Sequence, residues 1–177
     1  MSDQLRAAIG GLVEAVKSDP QNAAAVFRAT STSETPGFSV GSAVRDFSVV
    51  HDEPRQLGGE DTGPNPVEAV LAALGSCQAI VYRAYAAALG LRIDRVQVQT
   101  TGHLDLRGFL NLGPVPAGFG KVSYDVRIES PETPERIREL ARLVDEHCPV
   151  LDTLRRPVEV SSALEIVSTP EAATYAA

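Results

Sequence analysis

Two side chains in this 177-residue sequence carry a nucleophilic sulfur, Cys77 and Cys148. A thiol attacks as its thiolate, so a reactive cysteine needs a cation or a helix N-terminus beside it and a path for the substrate. The two lie far apart in sequence and form neither a C-x-x-C pair nor a zinc knuckle. In a reducing compartment they are inert or redox-active rather than a structural staple. His147 stands beside Cys148, but two adjacent ligands fall short of a metal site, and His51 and His103 read as surface or strand residues. No metal or cofactor is expected.

Cys77 lies on the most distinctive stretch of the chain, residues 64–91. Asn65 is a good N-cap, Pro66 suits the first helical position, and Gly90 is a natural stop. Between Val67 and Leu89 only Glu68, Ser76, Gln78 and Arg83 are clearly polar. A helix this apolar is expected to be covered on most sides, in the middle of the fold or of a dimer. At about 100° per residue, Val70, Ala73, Leu74, Ile80, Val81, Ala84 and Ala88 share the face of Cys77. The helix is long enough to span a membrane, yet it is rich in weakly hydrophobic Ala and carries Glu68 and Arg83, so no membrane span is expected.

Cys77 is too deep in its helix for the N-terminal dipole to lower its pKa, and apolar packing alone would raise it. Activation would need a cation brought by another segment. Arg45, Arg55 and Arg83 are near in sequence, and Arg55 lies in a Gly-rich, charged loop over residues 51–63 that could fold back. Cys148 is placed at the C-terminal end of a helix running from Thr133 as N-cap and Pro134, where the negative dipole end raises a thiol pKa. From the residues alone, two cysteines at buried positions read first as ordinary core residues, with redox chemistry as the lesser alternative.

The remaining elements follow from periodicity. Residues 3–18 read as an amphipathic helix with Leu5, Ile9, Leu12, Val13 and Val16 on one side, a docking extension over residues 1–20 ahead of a single domain at 21–177. Ala25–Thr30, Phe38–Val40 and Val44–Val50 suit strands of a small antiparallel sheet, with a turn at 35–37. Ile93–Leu106 and Gly120–Glu129 alternate with period two. A short helical turn is expected at Val150–Arg155, a last strand at Val158–Val167, and a frayed tail from Ser168. The order is that of an α+β fold in which sheets cover long helices. A net charge of −7, no Trp and 5% aromatic residues exclude a basic, stacking nucleic-acid surface. Met1–Lys17 lacks a basic start and a compact apolar run, so no signal peptide is expected and the location should be cytoplasmic.

Three stretches together resemble the OsmC/Ohr family, the osmotically inducible and organic-hydroperoxide-resistance proteins. They are Leu57-Gly58-Gly59-Glu60-Asp61-Thr62-Gly63-Pro64-Asn65-Pro66, Leu71-Ala72-Ala73-Leu74-Gly75-Ser76-Cys77, and Cys148-Pro149-Val150. The resemblance covers roughly residues 25–167 and implies an OsmC-like fold: an intertwined homodimer with antiparallel sheets wrapped around long central helices. It implies a thiol-dependent peroxidase that reduces organic hydroperoxides. Cys77 would become a sulfenic acid, Cys148 would resolve it as a disulfide, and a dithiol reductant, in some members a lipoylated protein, would reset the pair. The family sets an arginine against the thiolate. Arg55 lies within two residues of its place in the osmotically inducible branch, whereas the stretch Ser33–Phe38, which matches the other branch's arginine loop, has none. The family glutamate directly after the helix-opening proline is replaced by Val67, and Glu68 follows, about 180° around the helix from Cys77. Glu68 either reaches the other subunit's site or simply favours the helix N-terminus. This departure marks a divergent branch. The alternative function is a non-enzymatic dimeric module that binds a small apolar ligand in the same pocket.

Overall fold

The computed structural model describes residues 2–34 and 36–168. Helix α1 spans Ser2–Ser18 and is followed by a 3-10 turn at Pro20–Ala23. Strands β1 (Thr30–Ser33), β2 (Val40–Val44) and β3 (Phe47–His51) form an antiparallel sheet in the order β1-β2-β3, with Thr30 opposite Ala43 and Val40 opposite His51. Helix α2 spans Pro66–Leu89. Strand β4 (Arg95–Leu104) pairs antiparallel with β5 (Phe119–Glu129), with the short helix α3 (Leu106–Phe109) between them. Helices α4 (Pro134–His147) and α5 (Pro149–Arg155) complete the described elements.

Local chemistry fixes both ends of α2. The Asn65 Oδ1 accepts from the N–H of Val67 at 2.8 Å, and the Glu68 carboxylate accepts from the N–H of Asn65 at 2.9 Å, a reciprocal capping box. At the other end Gly90 takes a left-handed φ of 67° that an L side chain rarely adopts, and its N–H reaches the carbonyls of Ala86 and Ala87. Arg6 of α1 donates to Ala87 O at 2.9 Å. A cation is thereby held at the negative end of α2, and the N-terminal helix is docked there.

Strands β4 and β5 alternate as their sequences demand. Val96, Val98 and Thr100 of β4, and Val122, Tyr124, Val126 and Ile128 of β5, take the less exposed positions. This sheet face and α4 cover one side of α2. The first core cluster joins Tyr82, Ala86, Ile93, Leu140 and Val144, with Val96, Val126 and Ile128 packed against it. The second joins Leu74, Cys148 and Leu151, with Cys77, Val81, Val122, Tyr124 and Val150 around it.

Several expectations from sequence are changed, and the strands expected at Phe38–Val40 and Val44–Val50 run instead over Val40–Val44 and Phe47–His51. The segment expected as a strand from Ala25 is extended but pairs only from Thr30. Residues 158–167 form no strand, and Val160, Leu164 and Ile166 stand exposed; among the described residues no strand pairs with them. Helix α2 is not covered on most sides: α1 lies along part of the face away from the sheet, and Val67, Val70 and Ile80 (67% exposed) stay open in the single chain. The 3-10 turns and α3 were not foreseen, being too short to carry a period. Of the expected turn at 35–37, Pro36 and Gly37 form a bend, while Thr35 lies outside the described residues, as does the tail beyond Ser168.

Candidate functional site

Cys77 faces the second core cluster from the start of the fourth turn of α2, half-buried, on the boundary between the covered and open sides of the helix. Cys148 reaches the same place from a corner. It is the C-cap of α4, where its N–H donates to Val144 O at 2.9 Å. It is also the N-cap of α5, where its carbonyl accepts from Asp152 N at 2.9 Å. Pro149 enforces the corner, since proline cannot continue a helix but opens one well. Cys148 is fully buried, and Cys77 packs against the cluster that it forms with Leu74 and Leu151. The two cysteines that sequence singled out are therefore brought together within one chain.

The Cys148 thiol is pushed above its ordinary range, first by burial and further by the adjacent Cys77 sulfur. The N–H groups of Leu151 and Val150, at the start of α5, pull the other way and lose to burial. The direction matches the sequence expectation, but the cause differs. The C-terminal end of α4 does not act alone, because a second helix begins at the same residue.

The cation is less settled. Arg83 donates to Ile93 O at 2.7 Å and Asp94 O at 3.1 Å, closing the link from α2 to β4. Arg45 lies over the Phe47 ring at 5.2 Å in the β2–β3 turn. Arg55 is exposed in a 3-10 turn (Arg55–Leu57), and its side chain makes no hydrogen bond or ion pair among the described residues. Its loop is well held. Buried Asp52 accepts from the N–H groups of Glu53, Glu60 and Thr62 and from the Thr62 hydroxyl at 2.8–3.1 Å. The Thr62 N–H, with the other donors, holds this carboxyl below its usual range against the opposing effect of burial. A Cβ on Gly59 would lie 1.8 Å from Glu53 O, so this loop closes only with glycine there. Glu53 in turn accepts from the Asn65 side chain, tying the loop to the start of α2.

Glu68 is not brought to the thiols in the single chain; its carboxylate is committed to the capping box. His147 Nδ1 is paired with Leu143 O at 2.9 Å and its ring packs 5.5 Å from that of Tyr85, while His51 Nδ1 is paired with Pro64 O.

Sequence reasoning missed three polar groups around the thiols. Tyr124, packed against the cysteine cluster, donates to Asp145 Oδ1 at 2.7 Å. Burial and then Asp145 push both Tyr82 and Tyr124 up to about 12. The inward alternation of β5 gave a signal for Tyr124, but nothing local pairs it with Asp145. The third is Gln78, 0% exposed, whose amide oxygen and nitrogen both lack a hydrogen-bond partner among the described residues.

Comparison with known proteins places this geometry. The model of the OsmC-like protein family matches residues 58–163, more than half of the chain; the match begins at the Gly-rich loop and omits the first sheet. An uncharacterized protein from Haloferax volcanii is 30% identical over 127 residues, covering 71% of this chain and 86% of its own. Among solved structures, an OsmC-like protein from Mycoplasma pneumoniae superposes with a TM-score of 0.63 at 21% identity, over 74% of this chain and 88% of its own. An organic hydroperoxide resistance protein from Elizabethkingia anophelis, with thiocyanate bound, gives a TM-score of 0.58 at 18% identity, over 75% and 89%. At these identities the two structures establish the α+β fold. With the family match over the loop, the central helix and the Cys-Pro corner, the chain belongs to the OsmC-like protein family.

Proposed function

We propose that the chain is a cysteine-based peroxidase that reduces organic hydroperoxides. The observation that carries this reading is the packing of a half-buried Cys77 against the cluster of a fully buried Cys148, whose thiol is pushed up by burial. A peroxide arriving from outside meets Cys77 first. Its thiolate attacks one peroxide oxygen, the O–O bond breaks, and the alkoxide takes a proton to leave as an alcohol, giving Cys77 sulfenic acid. The Cys148 sulfur then attacks the Cys77 sulfur. The S–O bond breaks, the oxygen leaves as water with the Cys148 proton, and a disulfide forms. A dithiol reductant restores both thiols by exchange.

Arg55 is the cation in this reading. Arg45 and Arg83 have other partners, whereas Arg55 stands on a loop locked by Asp52 and tied to the start of α2. Glu68 here holds the helix start. The working unit in this reading is a homodimer in the cytoplasm. A second copy would cover the open side of α2 at Val67, Val70 and Ile80, and would offer a sheet edge to the alternating residues 158–167.

A second reading, a non-catalytic module for a small apolar ligand, has one observation in its favour. A hollow of about 320 Å³ lies between α1 and α2, lined by Leu5, Ile9, Ala79, Ile80, Ala84 and Val96 together with Arg83. The two readings part in one assay. Turnover of cumene hydroperoxide with excess dithiol, abolished by Cys77→Ser, supports the peroxidase. Absence of turnover by the wild type gives the binding module its place.

A further inference from the structure

Helix α2 presents Leu74, Cys77, Gln78 and Val81 as one lozenge, since residues i, i+3, i+4 and i+7 surround a single hollow on a helix surface. Three corners, Leu74, Cys77 and Val81, belong to the cluster that contains Cys148. The fourth corner is Gln78. One helical turn further on, Tyr82 belongs to the other core cluster. Gln78 therefore lies between the two clusters, at the edge of the dithiol.

Its amide is 0% exposed, and neither Nε2 nor Oε1 has a hydrogen-bond partner among the described residues. An amide left unpaired in an apolar interior is costly, and buried polar groups nearly always find a partner. Solvent does not reach it, and a second copy of the chain would meet the open side of α2 rather than this covered one. A partner that arises inside the site would satisfy both atoms. The reaction proposed above creates one: oxidation places a hydroxyl, both donor and acceptor, on the Cys77 sulfur. A carboxamide offers the complementary donor and acceptor.

We infer that Gln78 is a further catalytic residue of the dithiol site, hydrogen-bonding the oxygen of the Cys77 sulfenic acid and assisting its departure as water when Cys148 closes the disulfide. The inference rests on the peroxidase reading. The amide Nε2–H donates to the sulfenic oxygen and Oε1 accepts from its hydroxyl. As the Cys148 sulfur bonds to the Cys77 sulfur, the oxygen leaves carrying its own proton and that of Cys148. Gln78 exchanges no proton or electron; it stabilises charge on the departing oxygen. It acts after the first oxidation, so its loss should lengthen the life of the sulfenic acid and leave peroxide consumption in the first step unchanged.

The test compares the wild type with Gln78→Met, which keeps most of the volume, and Gln78→Leu, which differs in shape. One equivalent of cumene hydroperoxide is mixed with the reduced full-length protein. Dimedone capture times the sulfenic acid and non-reducing mass spectrometry times the disulfide. Urea unfolding of the same samples establishes that they are folded. The expected result is first oxidation within about twofold of wild type and disulfide closure slower by roughly tenfold, the loss of about one hydrogen bond. Folded variants that close at the wild-type rate overturn the inference. So does a parallel fall of both steps, which would mark a general disturbance of the site. If the wild type itself forms no sulfenic acid, the peroxidase reading falls and the inference with it, and that control is independent of either variant.

Discussion

Removing one hydroxyl tests how the Cys148 corner is held. Tyr124 of β5 donates to Asp145 Oδ1 at 2.7 Å, one turn before Cys148 on α4. Arg155 reaches the backbone carbonyl oxygen of Asp145 at 3.4 Å, and among the described residues the carboxylate has no other hydrogen bond and no ion pair. Tyr124→Phe thus leaves a half-buried carboxylate without its protein donor while preserving the ring that packs on the cysteine cluster. A hydrogen bond to a charged group contributes about 1.5–3 kcal/mol, which in a domain of this size lowers Tm by roughly 3–12 °C. Urea unfolding should show a lower midpoint with an unchanged m-value. A loss below about 0.5 kcal/mol would refute the idea that this bond clamps β5 to α4.

The same pair sets a pH dependence. Tyr82 and Tyr124 are raised to about 12 in the folded chain. Below about pH 10 both stay protonated whether folded or unfolded, so their contribution is fully present. Between about 10 and 12 the unfolded chain releases its protons first, and stability falls as pH rises. Asp145→Asn should lower both tyrosine pKa values in an ultraviolet titration, but only part of the way, because burial is the larger cause.

Three further outcomes are expected. Arg55→Ala should raise the pH at which Cys77 alkylates; an unchanged profile would remove Arg55 from the site. Gly59→Ala, which sets a Cβ against Glu53 O, should destabilise the chain by about 1–3 kcal/mol and speed proteolysis within residues 51–63, and a loop as resistant as wild type would show that the close approach is not needed. Sedimentation at micromolar concentration should give a dimer, and a monomer would leave the exposed face of α2 unexplained.

Elements with complete local signals were read closely from sequence. The ends of α2 follow from Asn65, Pro66 and Gly90, α4 opens at Thr133 and Pro134, and β4 and β5 alternate as written. Residues 158–167 show the limit. Alternation says which side chains would suit a strand, but the neighbouring edge is a tertiary fact, and among the described residues no strand pairs with this segment. At the site, the two sulfurs were legible as residues, while their meeting depends on how α2, α4 and α5 pack. Gln78 looked like one of a few polar breaks in an apolar helix; only the fold shows that it is buried without a partner. Asp52 was one charge in a charged loop until four donors converged on it.

The central claim is that Cys77 is oxidised first and Cys148 resolves it within the same chain. One measurement addresses it: tryptic mapping under non-reducing conditions after one equivalent of cumene hydroperoxide, on wild type, Cys148→Ser and Cys77→Ser. The account predicts a Cys77–Cys148 disulfide within one chain in the wild type. It predicts consumption of one equivalent and arrest as Cys77 sulfenic acid in Cys148→Ser, and no consumption in Cys77→Ser. Peroxide consumption retained by Cys77→Ser, or a disulfide joining two chains in the wild type, would contradict it.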